Sequence, residues 1–216
     1  MKLLFRITCV SFLLLLAQLS RADIILMAGN NPQPNENNIL LKSGLSGTLV
    51  SGVPNGVSGV TVNFTSTQML LEPSSGQARV SALPEGTPLT NLTISLAGGG
   101  TFGDLIINPF IGGQCDLCVV NGAFVVTVHA LSSTGVVEPL VVYNGTLGTG
   151  NNFLTIVAIN GESILSVDIS APGGFNDLRQ PRISGPFSTT PEPSSFGLLG
   201  IGLAALGGLA RRIRNT

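Results

Sequence analysis

The sequence predicts an all-β protein: an antiparallel β-sandwich, jelly-roll or immunoglobulin-like, flanked by an N-terminal signal peptide and a C-terminal transmembrane helix. Three observations lead there. Apolar and polar residues alternate with period two in several short runs, so that each run buries one face and wets the other. Asn-Gly pairs at 55–56, 121–122, 144–145 and 160–161 punctuate those runs with the residues that tight turns prefer. Nothing between residues 23 and 190 sustains a helical period over three turns.

Residues 1–22 read as the signal peptide. Lys2 and Arg6 give a positive start, residues 7–17 an apolar centre, and Ser20-Arg21-Ala22 the small residues that a signal peptidase reads. The mature chain is then expected to begin at Asp23. Cys9 lies inside the apolar centre and lacks the small-residue run of a lipid-anchored cysteine.

Residues 23–185 form the β domain. Val60, Val62 and Phe64 alternate with Thr61, Asn63 and Thr65, and Leu92, Ile94 and Leu96 with Asn91, Thr93 and Ser95. Phe124, Val126 and Val128 alternate with Val125, Thr127 and His129, and Leu165, Val167 and Ile169 with Ser166, Asp168 and Ser170. Asn160-Gly161, between the runs 153–159 and 163–169, predicts a β-hairpin. Gly98 to Gly100 read as a turn or flexible loop, because no lysine follows to make a phosphate-binding loop.

Charge narrows the classes of partner. Between Asp23 and Thr190 there are four basic and ten acidic residues, a net charge of −6 that the whole-chain value of −1 conceals. Nucleic acid demands clustered Lys and Arg, and anionic lipid attracts them too, so neither is an expected partner of the domain.

Candidate chemistry is sparse. His129 is the single histidine, so a Ser-His-Asp triad or a zinc site would have to be built around it. On the Val125–Thr127–His129 side of a strand it reads as a half-exposed sheet residue. No Gly-x-Ser-x-Gly elbow or βαβ pattern is present. Cys115-Asp-Leu-Cys118 is open to three readings: a thioredoxin-like redox pair, half of a zinc knuckle, or a small structural disulfide. The strand-to-helix context of the first and the extra ligands of the second are missing nearby, so the disulfide is the reading favoured for an exported chain. Asp168, Asn176 and Asp177 are candidate oxygen ligands for calcium, against the alternative of a polar turn with Asp177 paired to Arg179 or Arg182. The expected cofactor is none, and the expected role is not enzymatic.

Residues 186–193 are a linker that ends in Pro191-Glu192-Pro193. An uncharged stretch, 194–210, follows, and then a basic tail, 211–216, with Arg211, Arg212 and Arg214. The prolines disfavour helix before the apolar run. The run can enter a bilayer, and the arginines hold the end on the cytoplasmic side. As a helix, about 15 apolar residues rise roughly 23 Å at about 1.5 Å each, short against a hydrocarbon core of about 30 Å. That suits a transient stop better than a permanent anchor.

Pro191, Glu192 and Pro193, the Gly- and Leu-rich segment 196–210, and Arg211-Arg212 together resemble the PEP-CTERM sorting signal of bacterial exosortase substrates. The resemblance covers the tail alone. It implies export, processing near Pro-Glu-Pro by a membrane-embedded exosortase, and a place at the cell surface or in the extracellular matrix. The expectation for the whole is a structural or adhesive surface protein. Alternatives are a carbohydrate-binding module for exopolysaccharide and a periplasmic hydrolase on a sandwich scaffold.

Overall fold

The computed structural model describes residues 22–74, 78–112, 115–185 and 187. Of the signal peptide, all but Ala22 lies outside these residues, as do Pro191-Glu192-Pro193, the apolar run 194–210 and the arginine tail. The described chain is all-β and antiparallel throughout.

Fifteen strands follow one another: β1 (Ile24–Ala28), β2 (Asn37–Leu40), β3 (Ser46–Pro54), β4 (Val62–Leu71), β5 (Arg79–Ala82), β6 (Leu89–Leu96), β7 (Asp104–Ile107), β8 (Pro109–Ile111), β9 (Gly122–Leu131), β10 (Val141–Leu147), β11 (Gly150–Asn151), β12 (Leu154–Ala158), β13 (Ser163–Phe175), β14 (Asp177–Arg179) and β15 (Arg182–Ser184). One ladder runs β1-β12-β7-β15-β2 and passes through β2 to β3. A second runs β3-β4-β6-β13-β9-β10, and a branch leaves β4 through β5-β14-β8-β11.

The period-two runs take the faces the alternation predicts. Phe124, Val126 and Val128 of β9, and Leu92, Ile94 and Leu96 of β6, point into one apolar cluster that also takes Leu105 and Ile107 of β7, Ile156 of β12 and Ile183 of β15. Both ladders therefore feed a single core. Phe64, Phe102 and Phe175 are its largest fully buried side chains. Strand β7 lies between β12 and β15 and is buried on both faces, so it reads Asp-Leu-Ile-Ile rather than alternating.

Asn144-Gly145 makes no turn: both residues lie inside β10, paired with Val125 and Phe124 of β9. Two further expectations need correction. The first is the hairpin at Asn160-Gly161. The turn itself forms: φ is 54° at Asn160 and 82° at Gly161, and Glu162 N–H donates to Ile159 C=O at 3.0 Å. Its arms do not pair. β12 joins β1 and β7, whereas β13 joins β6 and β9. The segment 101–103 lies between them and uses both: Phe102 and Ile164 exchange backbone hydrogen bonds at 3.0 and 2.8 Å, and Ala158 N–H donates to Gly103 C=O at 2.8 Å. Phe102 is fully buried, and the segment that carries it takes the place between the two arms where their mutual pairing would be. The second is the face of Leu165. A register shift between Ile164 and Ser166 turns Ile164 inward and leaves Leu165 half-buried, while Val167 and Ile169 keep the predicted face.

Candidate functional site

The outer face of the β9-β13-β6-β4-β3 ladder is polar. Ladder pairing sets Thr127, Asp168, Thr93 and Thr65 in one row, and His129, Ser166, Ser95, Asn63 and Ser51 in the next. These are the residues that alternate with the buried aliphatics, so the pattern that builds the core also builds this face. Leu49 and Val142, each about half exposed, end the first row on either side.

Three of these side chains form a chain of hydrogen bonds. His129 Nε2 lies 2.7 Å from Asp168 Oδ2, and Thr93 Oγ1 donates to Asp168 Oδ1 at 2.6 Å. His129 and Asp168 are diagonal neighbours on adjacent strands, since His129 pairs Ser166 and Asp168 pairs Thr127. Their side chains are 34% and 44% exposed, so the network is open to a ligand. Around it, Ser51 Oγ donates to Asn63 Oδ1 at 2.8 Å, and Asn91 Nδ2 to Thr67 Oγ1 at 2.8 Å. The arrangement presents hydroxyls, amides, one imidazole and one carboxylate on one face of the sheet. Hydrolysis by a triad needs a nucleophile bonded to the base. Here the Thr93 hydroxyl is bonded to the carboxylate instead.

The other candidates lie elsewhere and are engaged. Asp177 is nearly buried; its Oδ1 accepts from Arg179 Nε at 2.6 Å, its Oδ2 lies 3.6 Å from Arg79 Nη1, and Arg79 also meets Glu85 at 3.0 Å. The Arg179 guanidinium stacks 3.4 Å over the centre of the Phe110 ring. Two guanidinium groups leave little negative charge for a cation at Asp177. Asn176 Oδ1 accepts from Gly112 N–H at 2.7 Å and ties β13 to the loop before the cysteines. The three calcium candidates are thus occupied by His129 and Thr93, by Gly112, and by arginine. Cys115 and Cys118 are joined in a disulfide, and Val119 N–H just after it donates to Gly173 C=O at 2.9 Å.

A second feature had no clear signal in the sequence. A hollow of about 480 Å³ opens between the 131–135 segment, the 159–163 turn and β7, with Asp104 in its wall. Burial pushes the Asp104 carboxyl up from its ordinary 3.8 to about 6; the Ser184 hydroxyl, which donates to Oδ2, opposes that rise, and the charge of Glu36 adds to it. Its Oδ1 is buried without a hydrogen-bond partner. Glu162 also lines the hollow, and its carboxyl is raised by desolvation, with the charges of Asp23 and Glu138 adding to the effect and the Asp23 N–H opposing it.

Residues 189–214 match the model of the PEP-CTERM protein-sorting motif. The chain carries a PEP-CTERM sorting signal. That signal implies export, membrane anchoring before processing, and sorting by an exosortase. The PEP-CTERM match spans the tail and says nothing of the β domain. A search of curated proteins finds no match. Among solved structures, a mutant family 29 carbohydrate-binding module complexed with mannohexaose is similar at 11% identity, over 77% of this chain and 90% of that one, with a TM-score of 0.25. A superposition that loose carries no argument about fold or ligand.

Proposed function

We propose that the chain is a non-catalytic protein of the bacterial cell surface or extracellular matrix, delivered by a signal peptide, held briefly by its C-terminal segment and released or re-anchored by exosortase cleavage near Pro191-Glu192-Pro193. The sorting motif at residues 189–214 carries this reading. In it, residues 194–210 cross the bilayer and Arg211 and Arg212 fix the direction. The two ladders that share one core are read as the facing layers of a sandwich. A domain with net charge −6, few charged residues overall and a Ser/Thr/Asn-rich outer face suits a hydrated, polysaccharide-rich matrix. Deleting the host exosortase tests the sorting half. The full-length precursor should then accumulate in the membrane fraction; unchanged processing without exosortase would contradict the proposal.

A second reading, direct binding of exopolysaccharide, rests on the hydrogen-bonded chain His129–Asp168–Thr93. Sugar hydroxyls both donate and accept, and these three side chains offer both at fixed spacing. Retention of the protein on immobilised host polysaccharide, with loss on Asp168→Ala, tests it.

A further inference from the structure

The turn at residues 159–162 makes no hairpin, yet it is built with the residues of one, and its polar groups converge on Asp23. Ile159 N–H donates to Asp23 C=O at 3.0 Å. Asn160 Nδ2 donates to Asp23 Oδ2 at 3.0 Å. Asp23 N lies 2.5 Å from Glu162 Oε2. Backbone oxygen, side chain and backbone nitrogen of one residue are each met by a different member of one four-residue turn, 136 to 139 positions away in the chain. The first ladder pair of β1, Ile24 with Ala158, follows at once.

We propose that the Ala22–Asp23 peptide bond is the maturation cut and that the turn at 159–162 is the receptor for the new N-terminus, with Glu162 as its counter-ion. The inference rests on the export reading above. Hydrolysis by a signal peptidase adds water across the bond: a carboxylate forms on Ala22, which leaves with the signal peptide, and an α-ammonium forms on Asp23. An amide N–H that gave one neutral-donor hydrogen bond becomes a cation facing a carboxylate, and such charge-assisted bonds are about twice as strong. Among the described residues, the charges that act on Glu162, the partner of that nitrogen, are acidic: Asp23 and Glu138. Before the cut they crowd one another, and the carboxyl of Glu162 is raised by desolvation and by those neighbours. A positive charge delivered there relieves the crowding. The cut also falls one residue outside the first strand, so trimming costs the fold nothing, whereas a cut one residue further in would remove all three contacts.

The test uses the exported protein purified from its host, as wild type and as Glu162→Gln. N-terminal sequencing gives the cut, and pH-dependent acylation of the α-amine gives its pKa. The expected result is an N-terminus at Asp23 with an α-amino pKa above the ordinary range of about 7.7–8.0, returning to that range in Glu162→Gln. The difference should shrink at about 1 M salt, where the screening length falls to about 3 Å. An N-terminus at Asp23 with the same pKa in both proteins would overturn the receptor and leave export standing. An N-terminus at another residue of the domain would overturn the assigned cut. A chain that retains residues 1–22 would overturn both the cut and the export reading on which it rests.

Discussion

His129 Nε2 and Asp168 Oδ2 lie 2.7 Å apart across two strands, although 39 residues separate them in sequence. Neither is buried, and exposed ion pairs contribute about 0–1 kcal/mol. The pair therefore contributes little to holding the fold. His129→Ala should shift the unfolding free energy by less than about 1 kcal/mol in a denaturant titration. If the outer face binds polysaccharide, the same substitution should weaken retention about tenfold, the equivalent of about 1.4 kcal/mol.

Asp104 makes a prediction with a definite sign. Its folded carboxyl titrates near 6 and its unfolded one near 3.8, so between those pH values the native state holds more protons than the unfolded state. Stability then falls as pH rises through that window. At pH 7 the penalty is on the order of 1 to 3 kcal/mol, because solvent screens part of the conversion of about 1.36 per decade. Asp104→Asn keeps an acceptor for the Ser184 hydroxyl and removes the charge. The variant should be more stable than wild type at pH 7, and the stability difference should close toward pH 4 in thermal melts.

Cys115 and Cys118 close a ring of four residues, the smallest loop effect a disulfide of this spacing offers. The chain-entropy relation gives about 2 kcal/mol. A Cys115→Ser/Cys118→Ser double variant should still fold, with a melting midpoint lowered by a few degrees, and reductant should leave it unchanged while lowering wild type to the same value.

Gly174 has φ of 68°, and a Cβ placed on it would lie 2.2 Å from Pro88 Cβ. The strain and the clash add, since Pro88 leads into β6, the strand next to β13. Gly174→Ala should cost about 2–3 kcal/mol, more than Gly135→Ala. Gly135 shares a positive φ of 80° but has nothing within 4 Å of its Cβ position. Comparing the two by chemical denaturation separates packing from backbone preference.

How much of this was legible in the sequence varies by the range of the forces. The faces of β6 and β9 were readable because period two is local: Leu92, Ile94 and Leu96 must share a side. The Asp177–Arg179 pair was readable for the same reason, being two apart on one strand. The arms of the 160–161 turn were misread because pairing is decided by Phe102, some 60 residues upstream, which needs a buried seat between them. Leu165 was misplaced by a register shift that no alternation can announce. The His129–Asp168–Thr93 network needed the strand order, since its members come from three strands that meet only in the folded sheet. The sorting tail was the most readable feature, because Pro-Glu-Pro, an apolar run and arginines act through their order along the chain rather than through a fold.

Export followed by exosortase processing is tested by the intact mass of the mature protein purified from its host. The expected mass begins at Asp23 and ends close to Pro191-Glu192-Pro193, without Arg211, Arg212 and Arg214. A mass that retains the chain through Thr216 would contradict it.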